Sequence, residues 1–383
     1  MSMAESLKTI VGEVNASDSE LDRNVYSTDA SRKKGRCEAV AWPSDLEQVH
    51  KLVMLARRSN TPLMPRGAGT GNGNSIPEGD IAVDVSKLNK IFSVSGSIAD
   101  VEAGVVLDNL NKAVFPMAFP VQVEAKKAAT IGGMIAANVL GIKAMQYGRM
   151  ADWLEEVTII DGNGMCLNLK GDALRHVAGL EGATGIIVRA KLKLAKREDQ
   201  ISTTLMKFNT FTALQEKLDE LKADADVINI EFLDEVSSSL IGFGEKNHLI
   251  VDYAGGKGAL RGGEAMDVWQ AREQLPFTLG QRRYIATDDL FVPAGQMPKF
   301  LYLLRKENIP CYGPIGMGIV YPVFKEDYNP EKLRSSYSQF GIKLGARFGY
   351  GKRKILDEET AKRVLQLKAH YDPKNVLSRG KLI

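Results

Sequence analysis

The sequence predicts an α+β fold of two domains, and three patterns along the chain carry that prediction. First, 383 residues are too many for one small core and fit two domains, or one domain split by an insertion. Second, strand and helix signals alternate over residues 38–92, and strands dominate residues 98–194. Third, helices alternate with strands beyond residue 200, which is typical of an α+β domain.

The first domain should contain an early helix that begins near Pro43. Ser44 and Glu47 have the spacing of a capping box, in which each side chain satisfies a backbone N–H group at the helix start. The predicted apolar face of this helix consists of Leu46, Val49, Leu52, Val53 and Ala56. Strands are expected over residues 62–65 and 81–85, on either side of a glycine-rich loop.

A β-hairpin and a long strand are expected to complete this domain. Residues 154–160 are rich in β-branched side chains, and the sequence Asp-Gly-Asn-Gly at 161–164 predicts a tight turn before a returning strand at 165–169. Residues 186–194 alternate between apolar and polar, as a half-buried strand does. The polar stretch 196–200 is the expected domain boundary.

The second domain is expected to be an antiparallel sheet with helices on one face. Helices are predicted over residues 210–223 and 298–306, and strands over 227–233 and 248–253. A last helix over 357–371 should end before Pro373, because proline cannot continue a helix.

Composition excludes several classes of protein. The chain is 44% hydrophobic and 25% charged, with a net charge of +3, and its lysines and arginines are interspersed with acidic residues. This pattern does not indicate nucleic-acid binding. Because no apolar run reaches the roughly 18 residues of a spanning helix, we expect a cytoplasmic protein, and a peripheral membrane contact is compatible with the sequence.

A glycine-rich loop at residues 66–74 is the first candidate binding element. Glycines at alternate positions after a strand allow several backbone N–H groups to turn toward one anion, which describes a phosphate nest. The loop departs from the dinucleotide pattern GxGxxG at Asn72 and Asn74, and it is not followed by the Gly-Lys-Ser/Thr of a Walker A loop. A flexible surface loop is the alternative.

Two further segments rich in small residues follow. Residues 129–138 have glycine and alanine at positions where larger side chains would prevent the backbone from approaching a flat ligand. The alternative is tight helix packing, which would require the same small residues. Residues 179–187 form another glycine-rich turn that ends in a strand.

The three segments together resemble the PCMH-type FAD-binding domain of the vanillyl-alcohol-oxidase flavoproteins. The family's PRGxGT loop matches residues 65–70, its TIGG segment with a later Asn and Tyr-Gly matches 130–138 and 147–148, and its GxEGxxGI turn matches 179–186. A C-terminal pattern, DPxxILNPGK, matches residues 372–381. The resemblance covers nearly the whole chain and is strongest to the branch of the glycolate oxidase FAD subunit and D-lactate dehydrogenase.

The resemblance implies a division of the chain and a set of FAD-binding residues. It implies an FAD-binding domain of two subdomains at 1–197, an inserted α+β cap at 198–330, and a C-terminal helical segment at 331–383 that returns to the FAD-binding domain. A histidine that bonds FAD covalently in some relatives is replaced here by Thr70, so the resemblance implies non-covalent FAD. The implied cofactor-binding residues are Arg66, Gly67, Ala68, Gly69, Thr70, Gly71, Asn72, Thr130, Gly132, Gly133, Ala137, Asn138, Tyr147, Gly148, Glu181, Gly185, Ile186 and Ile187.

The metal site of the hydroxy-acid-oxidising relatives is not retained. Their GHxGDGNxH motif aligns with residues 313–322, where Pro314 and Tyr321 replace the two histidines and Met317 and Ile319 replace Asp and Asn. Their EHGxGxxK motif appears as Arg-Phe-Gly-Tyr-Gly-Lys at 347–352. We therefore expect no metal, since these side chains offer neither a hard ligand nor a proton acceptor.

Two residues are candidates for contact with substrate. The helix Trp269–Glu273 resembles the family's WxxRE helix, whose arginine grips a substrate carboxylate, and this assigns that role to Arg272. The lysine that shares this task in the family is replaced by Thr287. Tyr321 could donate to a substrate oxygen. The alternatives are a surface charge paired with a nearby acid for Arg272, and a core tyrosine for Tyr321.

The resemblance implies an FAD-dependent oxidoreductase that transfers hydride from a small substrate, such as the 2-hydroxy acids D-lactate or glycolate, to flavin N5. The main alternative is an FAD-bearing electron-transfer or structural subunit of a multi-subunit oxidase, which the missing metal ligands favour. A third interpretation is an NADPH-dependent reductase on the same flavin fold. An electron-accepting protein subunit and a homo- or hetero-oligomer are compatible with all of these.

Overall fold

A computed structural model describes residues 2–31, 33–71, 75–197, 200–344 and 358–381. The helices of these residues are α1 (Met3–Val11), α2 (Glu20–Tyr26), α3 (Leu46–Ser59), α4 (Leu107–Ala113), α5 (Ile131–Ala137), α6 (Ala144–Tyr147), α7 (Phe211–Lys222), α8 (Glu235–Leu240), α9 (Gly262–Gln281), α10 (Met297–Lys306), α11 (Glu331–Arg334) and α12 (Glu358–Tyr371). The strands are β1 (Ala16–Ser17), β2 (Arg36–Ala41), β3 (Leu63–Arg66), β4 (Glu78–Asp84), β5 (Ile91–Ser95), β6 (Ile98–Glu102), β7 (Met117–Ala118), β8 (Leu154–Ile160), β9 (Cys166–Lys170), β10 (Ile186–Lys193), β11 (Ala195–Lys196), β12 (Ile201–Phe208), β13 (Val227–Leu233), β14 (Asn247–Ala254), β15 (Tyr284–Thr287), β16 (Leu290–Phe291), β17 (Cys311–Gly313), β18 (Ile319–Lys325) and β19 (Lys343–Leu344). The predicted α+β fold class is confirmed.

The chain divides into two compact units. The first unit takes in the described parts of residues 1–141, 149–197 and 346–383, and the second takes in 142–148 and the described parts of 198–345. The units differ from the predicted domain division in two places. Residues 142–148 belong to the second unit, where α6 lies against β13, and α11 belongs there too, although the sequence assigned it to the C-terminal segment.

The described part of the first unit contains two larger sheets and a two-stranded sheet of β7 and β11. One has the strand order β1-β2-β4-β3, in which β2 and β3 both pair in parallel with β4. The other is antiparallel with the order β5-β6-β10-β8-β9. Val49, Leu52, Val53 and Ala56 of α3 are buried as predicted, whereas Leu46 is exposed.

The start of α3 lies one residue later than the predicted capping box implies. Asp45, not Ser44, is the N-cap, and its carboxylate accepts from the Gln48 N–H at 2.8 Å. Ser44 instead donates its backbone N–H to the Gln48 side-chain oxygen at 2.8 Å. The predicted pairing of Ser44 with Glu47 is therefore wrong by one residue, because an equally good cap stands next to Ser44.

The second unit is one antiparallel sheet in the order β12-β14-β13-β17-β18-β16-β19, with β15 paired to β18. Helices cover both of its faces, so the prediction of helices on one face is wrong. On one face, Ile230 and Phe232 pack with the apolar residues of α7 and α10; on the other, Leu233 and Ile250 pack with those of α9. Strand β13 is buried throughout, as expected for a strand in a sheet that is covered on both faces.

Candidate functional site: the loops of the first unit

The first glycine-rich loop is held by the side chain of Arg66, the last residue of β3. The Arg66 guanidinium donates through Nη1 to the Thr28 carbonyl at 2.7 Å and lies 5.0 Å from the centre of the Tyr26 ring. Gly69 has φ +67°, and a Cβ there would lie 2.3 Å from Arg66 Nη2. Arg66 therefore fixes the shape of the loop through protein contacts, and glycine is required where the loop crosses it.

The backbone N–H groups of this loop are suited to an anion. The Gly69 carbonyl accepts from the Ala30 N–H at 3.0 Å. Within the described part of the chain, no hydrogen bond engages the N–H groups of Gly67, Ala68, Gly69, Thr70 or Gly71. Ala68 and Thr70 are exposed. A run of backbone N–H groups at a surface turn matches the donor set that a pyrophosphate needs. Asn72, the last predicted residue of this loop, lies outside the described residues.

The second segment contacts the first and forms a short helix, α5. Thr130 is its N-cap and accepts from the Gly133 N–H at 3.3 Å. A Cβ on Gly67 would lie 2.2 Å from the Thr130 hydroxyl oxygen, so the two segments meet at that glycine. A Cβ on Gly132 would lie 2.8 Å from the Cβ of Ala103, so tight packing accounts for Gly132, whereas Gly133 is exposed.

The third segment is bonded to the end of α5. Gly179 and Glu181 donate their backbone N–H groups to the carbonyls of Ile135 and Ala136 at 3.1 and 2.9 Å. Asn138 ends α5 in the left-handed conformation, with φ 43°, and its side-chain oxygen accepts from the Ala151 N–H at 2.9 Å. The Asn138 side chain therefore holds the local backbone, and Ala137 precedes it, half-buried.

The third segment also returns to the first. A Cβ on Gly182 would lie 3.2 Å from Cγ of Pro65, immediately before the first loop. Gly185 packs on Ile159 in the same way, and Ile186 and Ile187 of β10 are buried in the core. These last two side chains therefore belong to the core and do not face a ligand.

The C-terminal segment joins this assembly, and the sequence pattern alone did not show how. The Ser378 hydroxyl donates to the Glu181 carbonyl at 2.9 Å, and its backbone N–H donates to the Leu63 carbonyl at 2.8 Å. Lys381 is buried, with 3.6 Å between its Nζ and Glu78 Oε1. The negative charges of Glu78 and Glu181 favour its charged form, but the effect of burial is larger. Burial lowers the pKa of Lys381.

Candidate functional site: the buried face of the second unit

The candidate Arg272 is buried in the second unit and paired with an acid that the sequence analysis did not single out. Its Nε and Nη2 both donate to Glu231 Oε1, at 2.8 and 2.5 Å. The side chains are only 4% and 7% exposed. The alternative of a surface charge paired with a near neighbour is therefore wrong. A glutamate inside the mostly apolar strand VINIEFL was the signal that could have identified it.

Tyr312 contacts both Arg272 and the second candidate, Tyr321. The Arg272 guanidinium carbon lies 4.6 Å from the centre of the Tyr312 ring. The rings of Tyr312 and Tyr321 meet edge to face, with 5.5 Å between centres. Both tyrosines come from paired strands, β17 and β18, so the two candidates share one neighbour on one face of the sheet.

A second carboxylate lies on the same face. Asp252 is buried and accepts from the Thr203 hydroxyl at 2.7 Å and from Trp269 Nε1 at 3.0 Å. Burial raises the pKa of Asp252, and these hydrogen bonds oppose that shift. Trp269 stands three residues before Arg272 on α9, so two neighbouring strands each hold this helix through a carboxylate.

The remaining predicted residues also lie in the second unit. Tyr147 ends α6, and Gly148 follows it with φ 69°. Pro314, Met317 and Ile319 lie around the start of β18. Residues 347–352, the match to the family's second metal motif, lie outside the described residues. Among the residues that the structure describes, no group of three His, Cys, Asp or Glu side chains is arranged to hold a metal ion.

Comparison with known protein families identifies the first unit's cofactor. Residues 37–170 match the family model described as FAD binding domain. This part of the chain is an FAD-binding domain of the PCMH type. The match contains the first two segments of the FAD-binding domain, and the third is bonded to the second directly.

Similar proteins span nearly the whole chain. The glycolate oxidase subunit GlcD of Bacillus subtilis is 24% identical, over 99% of this chain and 96% of its own length. The D-lactate dehydrogenase of Archaeoglobus fulgidus is 24% identical over 90% and 91%. The mitochondrial D-2-hydroxyglutarate dehydrogenase of Arabidopsis thaliana is 23% identical over 98% and 80%.

A solved structure shares the fold. Alkyldihydroxyacetonephosphate synthase superposes with a TM-score of 0.72 at 16% identity, covering 98% of this chain and 84% of the other. At this identity the likeness concerns the fold. None of the helices in the described ranges is long and apolar enough to cross a bilayer.

Proposed function

We propose that the protein is an FAD-dependent oxidoreductase that oxidises a small hydroxylated substrate, with 2-hydroxy acids such as D-lactate or glycolate as the first candidates. The observation that carries the proposal is the meeting of Gly67 with Thr130 and of Gly182 with Pro65, which gathers the three FAD segments into one cradle. The relatives named above, whose printed activities concern glycolate, D-lactate and D-2-hydroxyglutarate, support the substrate class.

The residues of the cradle would hold FAD through backbone groups. The N–H groups of Gly67 to Gly71 would bind the pyrophosphate, and the exposed Gly133 would allow the ligand to approach the start of α5. Bound FAD supplies a two-electron acceptor for a substrate hydride. In the cap, Arg272 would bind a substrate carboxylate and Tyr321 would donate a hydrogen bond to the reacting oxygen.

A second candidate function is that of an FAD-bearing subunit within a multi-subunit oxidase. The replacement of the family's metal ligands by Pro314, Met317, Ile319 and Tyr321 favours it, since these residues supply neither a Lewis acid's ligands nor a base. One relative, GlcD, is itself described as a subunit. In this function the electron-accepting or substrate-binding site would belong to a partner chain.

Anaerobic reduction of the bound flavin separates the two functions. The purified protein is mixed with D- and L-2-hydroxy acids, alditols, aldehydes and NADPH, and flavin absorbance is followed. Bleaching by a hydroxy acid supports the enzyme. Bleaching only within a complex purified with its partners supports the subunit, and bleaching by NADPH alone supports a reductase. A protein that takes up no FAD when supplied in excess would contradict all three.

A further inference from the structure

Glu231 already occupies a guanidinium edge of Arg272 that could bind a substrate carboxylate. Glu231 Oε1 accepts from both Nε and Nη2, at 2.8 and 2.5 Å, which is one of the guanidinium edges that a carboxylate uses for bidentate binding. A substrate carboxylate must either displace Glu231 from this edge or bind beside it. Both routes bring like charges together in a buried place, where solvent screens them poorly.

A second acid lies near this pair among the residues that the structure describes. Asp252, on the strand next to that of Glu231, also faces α9 and is held there by Trp269 and Thr203. The positive charge of Lys143 lowers the pKa of Asp252, against the larger opposite effect of burial. The Tyr312 ring covers one face of the guanidinium. A carboxylate that approaches Arg272 therefore meets a guanidinium that is already paired with Glu231 and covered on one face by a ring.

We infer that Glu231 is a specificity-determining residue that weakens carboxylate binding by competing for Arg272. Uncharged hydroxyl groups are not repelled by Glu231. Carboxylates therefore bind to the wild-type cap more weakly than they would bind to Arg272 without Glu231. The inference rests on the proposed function, in which Arg272 meets the substrate. Glu231 then has two roles: it holds α9 through Arg272, and it lowers the affinity for a carboxylate substrate.

The test measures binding of oxalate, a dicarboxylate that the flavin does not oxidise by hydride transfer, to the FAD-loaded protein. Titration calorimetry compares wild type with Glu231→Gln. The glutamine keeps the size of the side chain and removes its charge, so oxalate affinity should rise by about tenfold or more, the scale expected when a like-charge contact is removed from a desolvated site. Glycerol, an uncharged probe, should bind both proteins alike.

Two further variants keep the test decisive. Asp252→Asn removes a buried carboxylate on the same face that does not touch a guanidinium, and it should leave oxalate affinity within about threefold of wild type, a change of less than about 1 kcal/mol. Glu231→Gln combined with Arg272→Met removes both charges together, which allows the fold to survive, and it should abolish the gain. Thermal unfolding and flavin content show that each variant is folded.

The outcomes are distinct. A folded Glu231→Gln protein that binds oxalate no better than wild type overturns the inference, as does an equal gain in Asp252→Asn. If Glu231→Gln does not fold, the same titration on wild type and the double variant decides. Weaker oxalate binding by wild type than by the double variant supports competition, and equal or stronger binding by wild type overturns it. Loss of flavin binding or of flavin reduction by every substrate would instead contradict the proposed function.

Discussion

Lys368 of α12 donates a hydrogen bond to the carbonyl oxygen of Ala183, with 3.1 Å between Nζ and the oxygen. The same ammonium group forms a buried ion pair with Asp372 at 2.7 Å and a further bond to the Leu377 carbonyl. Ala183 follows Gly182, the residue of the third FAD segment that packs on Pro65. The C-terminal helix therefore ties the third FAD segment to the strand that leads into the first.

Replacing Lys368 by methionine should weaken FAD binding. Methionine preserves much of the volume but leaves Asp372 buried without its cation, and such losses cost about 3–5 kcal/mol of stability. The third segment should loosen, and FAD affinity should fall by roughly tenfold, or about 1.4 kcal/mol. Fluorescence titration of the apoprotein with FAD measures the effect.

The matched control is Lys362→Met. Lys362 lies on the same helix and is exposed, so its replacement should change unfolding free energy by less than about 0.5 kcal/mol. Equal FAD affinity in the two variants would contradict the role assigned to Lys368.

Gly67→Ala should disrupt the contact between the first two FAD segments. A methyl group at this position would lie 2.2 Å from the Thr130 hydroxyl oxygen, so the loop or α5 must shift. We expect FAD affinity to fall by at least about tenfold, since the backbone N–H groups must keep their positions to bind a pyrophosphate. Gly263→Ala is the control, because among the described residues no atom beyond its chain neighbours and its own helix backbone lies within 4 Å of a Cβ there. A Gly67→Ala protein with wild-type affinity would show that the two segments do not set the FAD cradle.

FAD should be released when the protein is denatured. Thr70 has no nucleophilic nitrogen with which to form the bond that a histidine forms in some relatives, so the cofactor should be held without a covalent link. After acid precipitation, the yellow colour should appear in the supernatant and the pellet should be colourless. A flavin that stays with the pellet after washing in denaturant would refute this.

Stability should fall as pH rises through the titration of Asp234. Burial raises the pKa of Asp234 from 3.8 to about 6, although the carboxylate accepts from the N–H groups of Ser237 at 2.7 Å and Cys311 at 3.0 Å. The folded protein therefore keeps this proton to a higher pH than the unfolded chain does. This contribution to the free energy of unfolding is present below the pKa of the unfolded chain and is lost as pH rises through the pKa of the folded protein. The loss is about 3 kcal/mol, since each pKa unit corresponds to about 1.36 kcal/mol.

Denaturant unfolding of wild type and Asp234→Asn at several pH values isolates this contribution. Asparagine does not titrate, so the advantage of wild type over the variant should shrink between pH 4 and pH 7. Parallel stability curves over that range would show that Asp234 keeps an ordinary pKa.

Much of the fold could be predicted from local pattern. Strand β8, at Leu154–Ile160, and strand β13, at Val227–Leu233, have the predicted bounds, because β-branched and apolar runs between turn residues report strand formation over a few residues. The N-cap of α3 was misplaced by one residue, since Ser44 and Asp45 are both good caps and only the backbone geometry chooses between them.

The FAD-binding segments were also recognisable in sequence, because glycines are needed wherever backbone approaches backbone or ligand closely. The sequence by itself determined these segments, the α+β class and the replacement of the family's metal ligands. Only the tertiary structure decided that Arg272 is paired with Glu231, 41 residues away, and that Lys368 reaches Ala183, 185 residues away. The physical reason is that a buried charge selects its partner by proximity after folding, and proximity between distant residues follows from strand pairing and helix packing rather than from local periodicity.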